Sequence, residues 1–333
     1  MQPFDFRLRG TTELLEWLEK EGQTRTASKG SQLIEEGENA KSLFFLLDGE
    51  VCATSTNQNN IDIQLNTLLP GAMMGEMSWL EERPAVASID AGPGSRLLQI
   101  PREALESINQ SEAFICHLLY RLIAEKLALQ VQGQNAWVHR IAATDQEPLR
   151  KVLVLFAELE EKDVAWIARS GKFKRLVAGD VLLQEGDNVP GLYLLLAGEA
   201  RISITENGNW QSVGSSRRGE LLGELTMLNP QAAGATANVD TLTGLELLVL
   251  DKEELSMTLN ADPRLAKRFY KGIARMLSQR SRDQLLSRGF AEASRIAEEL
   301  IDNEQLGLDQ LSAISSAGLR FDWLCRQFQD KEG

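Results

Sequence analysis

The sequence has few of the residues that build metal sites, disulfides or histidine-based catalytic centres. Its 333 residues include three cysteines and two histidines. Cys52, Cys116 and Cys325 are an odd, widely spaced set without a CxxC pair. His117 and His139 have no Cys, Asp or His partner at ligand spacing. We therefore expect no metal site, no disulfide framework and a reducing, cytoplasmic environment.

Motifs for catalysis and membrane insertion are also missing. The sequence has no GxxxxGK phosphate loop and no nucleophile–base set, so we predict a chain that is not an enzyme, has no catalytic residues and needs no cofactor. The start of the chain lacks the apolar core of a signal peptide. The longest apolar runs, at 43–47 and 192–197, are too short to span a bilayer and are typical of buried strands.

Positive charge is in deficit. The chain has 35 Lys and Arg against 48 Asp and Glu, which gives a formal net charge of −13. Such a chain has no overall positive field to attract nucleic acid or an anionic membrane, so both partners are disfavoured. The hydrophobic and charged fractions, 43% and 25%, are those of an ordinary globular protein, and the length predicts two domains.

The two halves of the chain repeat one another. Residues 30–50 read GSQLIEEGENAKSLFFLLDGE and residues 179–199 read GDVLLQEGDNVPGLYLLLAGE, with 10 identities in 21 positions at a constant offset of 149. Nearly the same offset joins Gly75-Glu76 to Gly223-Glu224. A match this long indicates that a whole domain has been duplicated.

Each repeat predicts the same order of elements. A short helix (12–20 or 161–170) comes first, then strands of four to seven residues separated by Gly and Asn turns, and finally an amphipathic helix (102 to about 131, or 263–288). This order predicts an α+β fold of two tandem antiparallel β-rolls, jelly-roll-like double-stranded β-helices, each with flanking helices. We predict domains at 1–140 and 141–288, followed by an acidic helical tail at 289–333.

The repeated motif resembles that of the cyclic-nucleotide-binding domain family. The resemblance covers about 10–130 and 150–285, and it rests on the stretch GxxLxxEG(E/D)xxxxLxxLLxGE and on the cassettes at 75–88 and 223–238. It implies that a β-roll holds the ligand, that the cassette Glu bonds the ribose 2′-hydroxyl, and that an Arg pairs with the cyclic phosphate. A C-terminal helix then closes over the base.

The cassettes match the family at their start but not at the phosphate position. Glu76 and Glu224 match the ribose-binding residue, although the fold could also retain them to bond cassette backbone amides. Ala85 and Ala235 stand where the family has its Arg. A charge-assisted hydrogen bond contributes about 1.5 to 3 kcal/mol, so its loss weakens binding roughly ten- to hundredfold. We predict degenerate cassettes, with a natural cyclic nucleotide or another small anionic ligand as alternatives.

A ligand, if one binds, would contact the cassette residues. Arg83, Arg217 and Arg218 are the candidate substitute cations. The candidate set is Gly75, Glu76, Met77, Arg83, Ala85 and Val86 in the first roll, and Gly223, Glu224, Leu225, Ala235 and Thr236 in the second.

Two helices are candidate partner surfaces. The apolar stripe at 115–127 includes Leu119 and Ile123 and predicts self-association or docking of a protein partner. The basic helix at 264–288 includes Lys267, Arg268 and Lys271. Its charge predicts a solvated face, a dock for an acidic surface of this chain or of a partner, or contact with nucleic acid. The acidic tail could also fold back on this helix.

The sequence favours a non-enzymatic regulatory or scaffolding protein that acts through protein contacts. The chief rival is a transcription regulator, because residues 308–328 can be divided into a helix, an Ala-Gly turn and a second helix. The second of these helices holds only Arg320 and Arg326 beside Asp322, whereas a DNA reader presents a cationic face. A sensor of cyclic nucleotide or of another small ligand is the remaining alternative.

Overall fold

The structure, a computed structural model, describes five stretches of the chain, at 12–138, 149–206, 208–229, 234–302 and 308–329. It divides into two compact units, each made of two segments. Unit 1 contains Met1–Lys126 and Leu277–Gly307, and unit 2 contains Leu127–Met276 and Leu308–Gly333. These units differ from the three consecutive segments predicted from the sequence, because each unit takes in a segment from the C-terminal part of the chain. The predicted boundary near residue 140 lies outside the described residues.

The first roll consists of two four-stranded antiparallel sheets. Helix α1 (Thr12–Glu21) precedes it, and its strands are β1 (Gln23–Thr26), β2 (Ser31–Ile34), β3 (Ser42–Asp48), β4 (Val51–Thr56), β5 (Asp62–Leu68), β6 (Met73–Met74), β7 (Ser88–Ala91) and β8 (Arg96–Pro101). The sheets have the orders β1-β8-β3-β6 and β2-β7-β4-β5. The short helix α2 (Glu76–Glu81) joins β6 to β7, and α3 (Arg102–Ser111) and α4 (Ala113–Val138) follow β8.

The second roll repeats this topology. Helices α5 (Leu149–Glu158) and α6 (Glu161–Ser170) precede β9 (Lys172–Leu176), β10 (Val181–Leu183), β11 (Gly191–Ala197), β12 (Glu199–Glu206), β13 (Asn209–Arg217), β14 (Leu221–Leu222), α7 (Glu224–Leu228), β15 (Asn238–Thr241) and β16 (Leu245–Asp251). Helices α8 (Lys252–Ala261) and α9 (Pro263–Leu286) follow. The sheet orders β9-β16-β11-β14 and β10-β15-β12-β13 match those of the first roll strand for strand. The predicted tandem β-rolls are confirmed.

The apolar runs of the sequence form the central strands. In β3, Leu43 to Leu46 are all buried, and β11 is buried over Gly191–Leu196, as expected for strands covered on both faces. In β4 the burial alternates, with Val51, Ala53 and Ser55 facing inward. Each roll therefore encloses its own apolar core. No helix in the described part of the chain is long and apolar enough to cross a membrane.

The helices differ from the predictions in two places. The helix predicted from residue 102 is two helices, because Glu112 is not helical and separates α3 from α4. The tail has α10 (Glu292–Asp302) and α11 (Leu308–Gln329). The rival interpretation of 308–328 as a helix–turn–helix is wrong, because α11 is a single helix that continues through Gly318 without a turn. Its buried Ala317 and its contacts with α5 show that these small residues allow close helix packing.

Candidate functional site

Both cassettes begin at a glycine whose conformation and packing exclude other residues. Gly75 and Gly223 have φ angles of 91° and 89°, in the left-handed region. A Cβ atom on either would lie 2.6 Å from a carbonyl oxygen, that of Ser42 or Gly191 respectively. Each glycine therefore lets the chain turn tightly from a strand into α2 or α7, which places the following glutamate inside the roll.

The cassette glutamates are buried. Glu76 and Glu224 are 8% and 4% exposed, and Met77 and Leu225 beside them are buried too. Burial raises the pKa of Glu76 to about 7, and the charge of Glu81 acts in the same direction. A hydrogen bond from its own backbone N–H and the charge of Lys126 oppose that shift in pKa. The bond to the cassette backbone supports a structural role for this carboxylate.

In both rolls the residue at the phosphate position is hydrogen-bonded through its backbone to a neighbouring turn. Ala85 donates its N–H to the Glu38 carbonyl at 2.9 Å and accepts from the Gly37 N–H at 3.0 Å. Ala235 makes the same pair of bonds to the matching turn, at 2.8 and 2.9 Å. Ala85, Ala235 and Val86 are buried. At the position where the resemblance places a guanidinium, each cassette carries the methyl group of an alanine whose backbone is bonded to the neighbouring turn.

The candidate substitute cations pair with carboxylates of the chain itself. The Arg83 guanidinium lies 3.7 Å from Glu81, with its side chain 40% exposed. Arg217 donates to Glu199 at 2.9 Å, and Arg218 donates to a carboxylate of α11 at 2.7 Å. Each arginine is thus already engaged with an acidic group.

The rolls differ in how the cassette pocket is covered. In the second roll an open cavity of about 330 Å³ is lined by Gln132, Glu185, Gly186, Asn229, Gly234, Ala235 and Thr236. There, Glu185 is exposed and accepts the Thr205 N–H at 2.7 Å. In the first roll the matching glutamate, Glu36, is buried and accepts a second N–H, from Ala293 in α10. The sequence did not reveal that either glutamate belongs to the site, because the Glu-Gly pair that contains it was interpreted only as part of a turn.

The apolar stripe of α4 is part of the protein interior. Leu119 and Ile123 have no exposed surface in the single chain, and Leu127 is likewise fully buried. Their burial does not support the prediction that these side chains form an accessible docking surface. Long apolar side chains at helical spacing are accounted for here by packing within the chain.

The basic helix α9 docks on an acidic surface of the same unit, which is one of the alternatives that its charge left open. Arg268 donates to both oxygens of Asp163 at 2.6 and 2.8 Å. The Lys271 ammonium lies 2.9 Å from Glu158, which also accepts from Arg275 at 2.5 Å. These cations lower the pKa of the largely buried Glu158, outweighing the effect of its burial. The acidic side chains at 298–304, predicted to dock on this helix, lie outside the described residues.

The fold and the two cassettes define a tandem β-roll protein, and comparison with known families identifies the kind of domain. The family model for the cyclic nucleotide-binding domain matches residues 24–112 and 173–262. These two ranges cover both rolls and more than half of the chain. The chain belongs to the cyclic nucleotide-binding domain family and carries two such domains in tandem.

Named relatives of the chain include regulatory subunits of kinases. The chain is 26% identical over 180 residues to a cAMP-dependent protein kinase regulatory subunit of Emericella nidulans, across 53% of this chain and 37% of that protein. It is 24% identical over 230 residues to the corresponding subunit of Eremothecium gossypii, across 69% and 42%. The solved regulatory subunit of a cAMP-independent protein kinase A from Trypanosoma brucei is 16% identical, with coverage of 75% and 81% and a TM-score of 0.30. The chain spans less than half the length of these two curated relatives.

Proposed function

We propose that this chain is a non-enzymatic regulatory or scaffolding protein whose cassettes are degenerate for cyclic AMP and cyclic GMP, and that it acts through protein contacts. The likeness to kinase regulatory subunits supports a role as one subunit of an assembly. Among the described residues no group of His, Cys, Asp and Glu is placed to hold a metal ion.

One observation carries the proposal, which is that each cassette retains its buried carboxylate while the cation of the family is absent. Ala85 and Ala235 are buried, and the backbone of each is hydrogen-bonded to the neighbouring turn. Glu36 in the first roll and Glu185 in the second add negative charge beside these positions. A cyclic phosphate would meet carboxylates instead of a guanidinium, which disfavours its binding.

Titration calorimetry of the full chain with cyclic AMP and cyclic GMP tests the proposal. We expect no saturable binding with a dissociation constant below about 10 µM, which corresponds to roughly −7 kcal/mol. Ala235→Arg restores the missing cation beside the open cavity of the second roll and should strengthen cyclic AMP binding roughly tenfold or more. Ala235→Met adds similar bulk without charge and should not. Tight binding by the wild-type chain would contradict the proposal.

The open cavity of the second roll favours a second candidate function, a sensor of a small ligand. Because the carboxylate of Glu185 lines this cavity, hydrogen-bond donors suit it better than a phosphate. Adenosine keeps the base and ribose of cyclic AMP without the negative charge. Saturable binding of adenosine but not of cyclic AMP would favour this sensor over a scaffold without a ligand.

A further inference from the structure

The first roll contacts a segment that comes from far along the chain. Helix α9 ends at Leu286 within unit 1, and the cover segment (residues 289–295) follows in the same unit, before and within the first turn of α10. Ala291 has a left-handed φ of 59°, and it is fully buried. Its N–H donates to the hydroxyl of Ser55, a buried residue of β4, at 2.8 Å. A non-glycine residue retains this conformation only where its surroundings hold it.

The carboxylate of Glu36 connects the cover segment to the roll. One oxygen of Glu36 accepts the Thr56 N–H at 2.8 Å, and the other accepts the Ala293 N–H at 3.2 Å. Ala293 lies in the first turn of α10, where backbone N–H groups have no partner within the helix. A carboxylate at this end of a helix is favourable for the helix dipole. The pocket thus offers acceptors and negative charge, and the segment supplies donors.

A buried arginine links the cover segment to the cassette through hydrogen bonds. Arg282 is 1% exposed and donates to Glu81 at 2.7 Å, to the Pro84 carbonyl at 3.0 Å and to the Ser294 hydroxyl at 2.9 Å. Ser278 donates to the other oxygen of Glu81. Pro84 immediately precedes Ala85, the phosphate position. Arg282 therefore joins the cassette directly to the cover segment through a buried ion pair.

In the second roll, none of the residues that the structure describes takes the place of the cover segment at the matching turn. A Cβ atom on Gly37 would lie 3.2 Å from the carbonyl oxygen of Ala293, whereas on the matching Gly186 it would meet no described atom within 4 Å. Gly186 and Ala235 line the open cavity of about 330 Å³. Gln132 also lines this cavity. It lies 150 residues before Arg282, close to the offset between the repeats, and it lacks the charge that anchors the segment in the first roll. Within the described part of the chain, the two rolls therefore differ at this turn by the segment and its arginine.

We propose that the cover segment is the resident ligand of the first roll. The chain itself supplies, with backbone donors and an arginine anchor, the partners of Glu36 and of the cassette backbone at Pro84, whereas the matching turn of the second roll lines an open cavity. A cyclic nucleotide would bring a phosphate next to Glu36 and would have to displace the segment. This assignment does not rest on the proposed function, since it concerns which part of the chain occupies the first pocket.

Amide hydrogen exchange of the full chain, compared between Glu36→Gln and Glu185→Gln, tests the assignment. In E36Q the side-chain amide would face two N–H donors with one oxygen and one NH₂ group, so one donor must lose its acceptor. In E185Q the side-chain amide oxygen can still accept from Thr205, which makes this variant the matched control. We expect slow exchange over 289–297 in the wild-type chain, exchange roughly tenfold faster or more in E36Q, and no change in E185Q.

Two further variants keep the assignment testable if E36Q does not fold. The double variant Glu81→Gln/Arg282→Gln removes both buried charges together, so neither is left unpaired. Ser55→Ala removes only the acceptor of Ala291. Both should accelerate exchange over 289–297 while leaving the second cassette, 224–241, unchanged.

Three results would overturn the assignment. These are fast exchange of 289–297 in the wild-type chain, equal exchange in E36Q and E185Q, and protection of residues 76–88 by added cyclic AMP without any change in exchange over 289–297, because the segment and the nucleotide would then not share a site. Nucleotide binding confined to the second roll would instead contradict only the proposed function.

Discussion

At the scale of single residues, each cassette retains its carboxylate and lacks its cation. Glu76 and Glu224 are buried in the same position of the two rolls, while alanine occupies the phosphate position in both. A buried carboxylate without a nearby guanidinium is costly to ionise, which is why the pKa of Glu76 is raised to about 7. Glu76 is thus a source of pH-dependent instability.

Glu76→Gln tests this at the residue scale. Because the folded pKa of about 7 lies above the ordinary value of 4.5, the folded state binds a proton that the unfolded state has lost between these pH values. Wild-type stability should therefore fall as pH rises from about 4.5 to 7, by up to about 3 kcal/mol. E76Q should lack this fall. Urea unfolding between pH 4 and 8 measures it, with exposed Glu82→Gln as the control.

For E76Q the decisive measurement is how the free energy of unfolding changes with pH, not its value at a single pH. The substitution also alters the hydrogen bond from the backbone N–H, which favours the ionised carboxylate and so acts against the expected fall in stability. Parallel curves for wild type and E76Q would show that Glu76 ionises in the folded chain as it does when unfolded.

At the scale of secondary structure, Gly318 could mark either a turn between two helices or a position within one continuous helix. An Ala-Gly pair between two apolar segments is typical of a turn, yet α11 continues through it. Phe321 of α11 packs edge-to-face on Phe156 of α5, with ring centroids 5.5 Å apart. Arg320 donates to the Phe156 carbonyl at 3.1 Å, at the end of α5. An arginine bonded in this way is part of the packing, which removes support for a DNA-reading helix.

Gly318→Ala distinguishes a continuous helix from a turn. In a helix interior alanine is more stable than glycine by about 0.5 to 1 kcal/mol, and among the described residues the new Cβ would meet Leu153 alone, at 3.9 Å. G318A should raise the free energy of unfolding by that amount. Gly272→Ala, in α9, is the matched control, because its Cβ would lie 2.7 Å from Leu155 and should destabilise by about 1 to 3 kcal/mol. A destabilising G318A would indicate a left-handed turn.

At the scale of the whole molecule, each unit depends on a segment from the end of the chain. Unit 1 contains α10 and the cover segment, and unit 2 contains α11. In unit 2 the rings of Phe173 and Phe328 stack with centroids 5.8 Å apart, and Arg218 lies over the ring of Phe321 at 5.1 Å. The C-terminal residues are thus structural, and their deletion would damage both units.

Phe321→Ala tests the role of the C-terminal helix in unit 2. Phe321 is 2% exposed, so its truncation leaves a cavity and should destabilise unit 2 by about 3 to 5 kcal/mol. Amide exchange should show the loss in unit 2, at 149–206 and 308–329. Trp323→Ala, an exposed residue of the same helix, should cost less than about 1 kcal/mol. Similar effects of the two substitutions would contradict the packing of α11.

The sequence alone was enough to predict the duplication and both rolls. These features are local or occur at a constant offset, so they can be read without knowing which segments meet. Gly75 and Gly223 mark tight turns, and apolar runs mark central strands. Local periodicity and turn chemistry depend on the backbone of a few residues, which is why these predictions agree with the structure.

Only the tertiary structure decided which distant segments complete each roll. Arg282 and Glu81 are separated by 201 residues, and nothing in the sequence around either residue specifies the other. A buried ion pair forms only where packing removes both groups from water. The same holds for Glu36 and Ala293, and for Gly318, whose role depends on the helix beside it. The sequence by itself determined two tandem rolls, whereas tertiary packing decided that α10 and the cover segment belong to the first unit and α11 to the second.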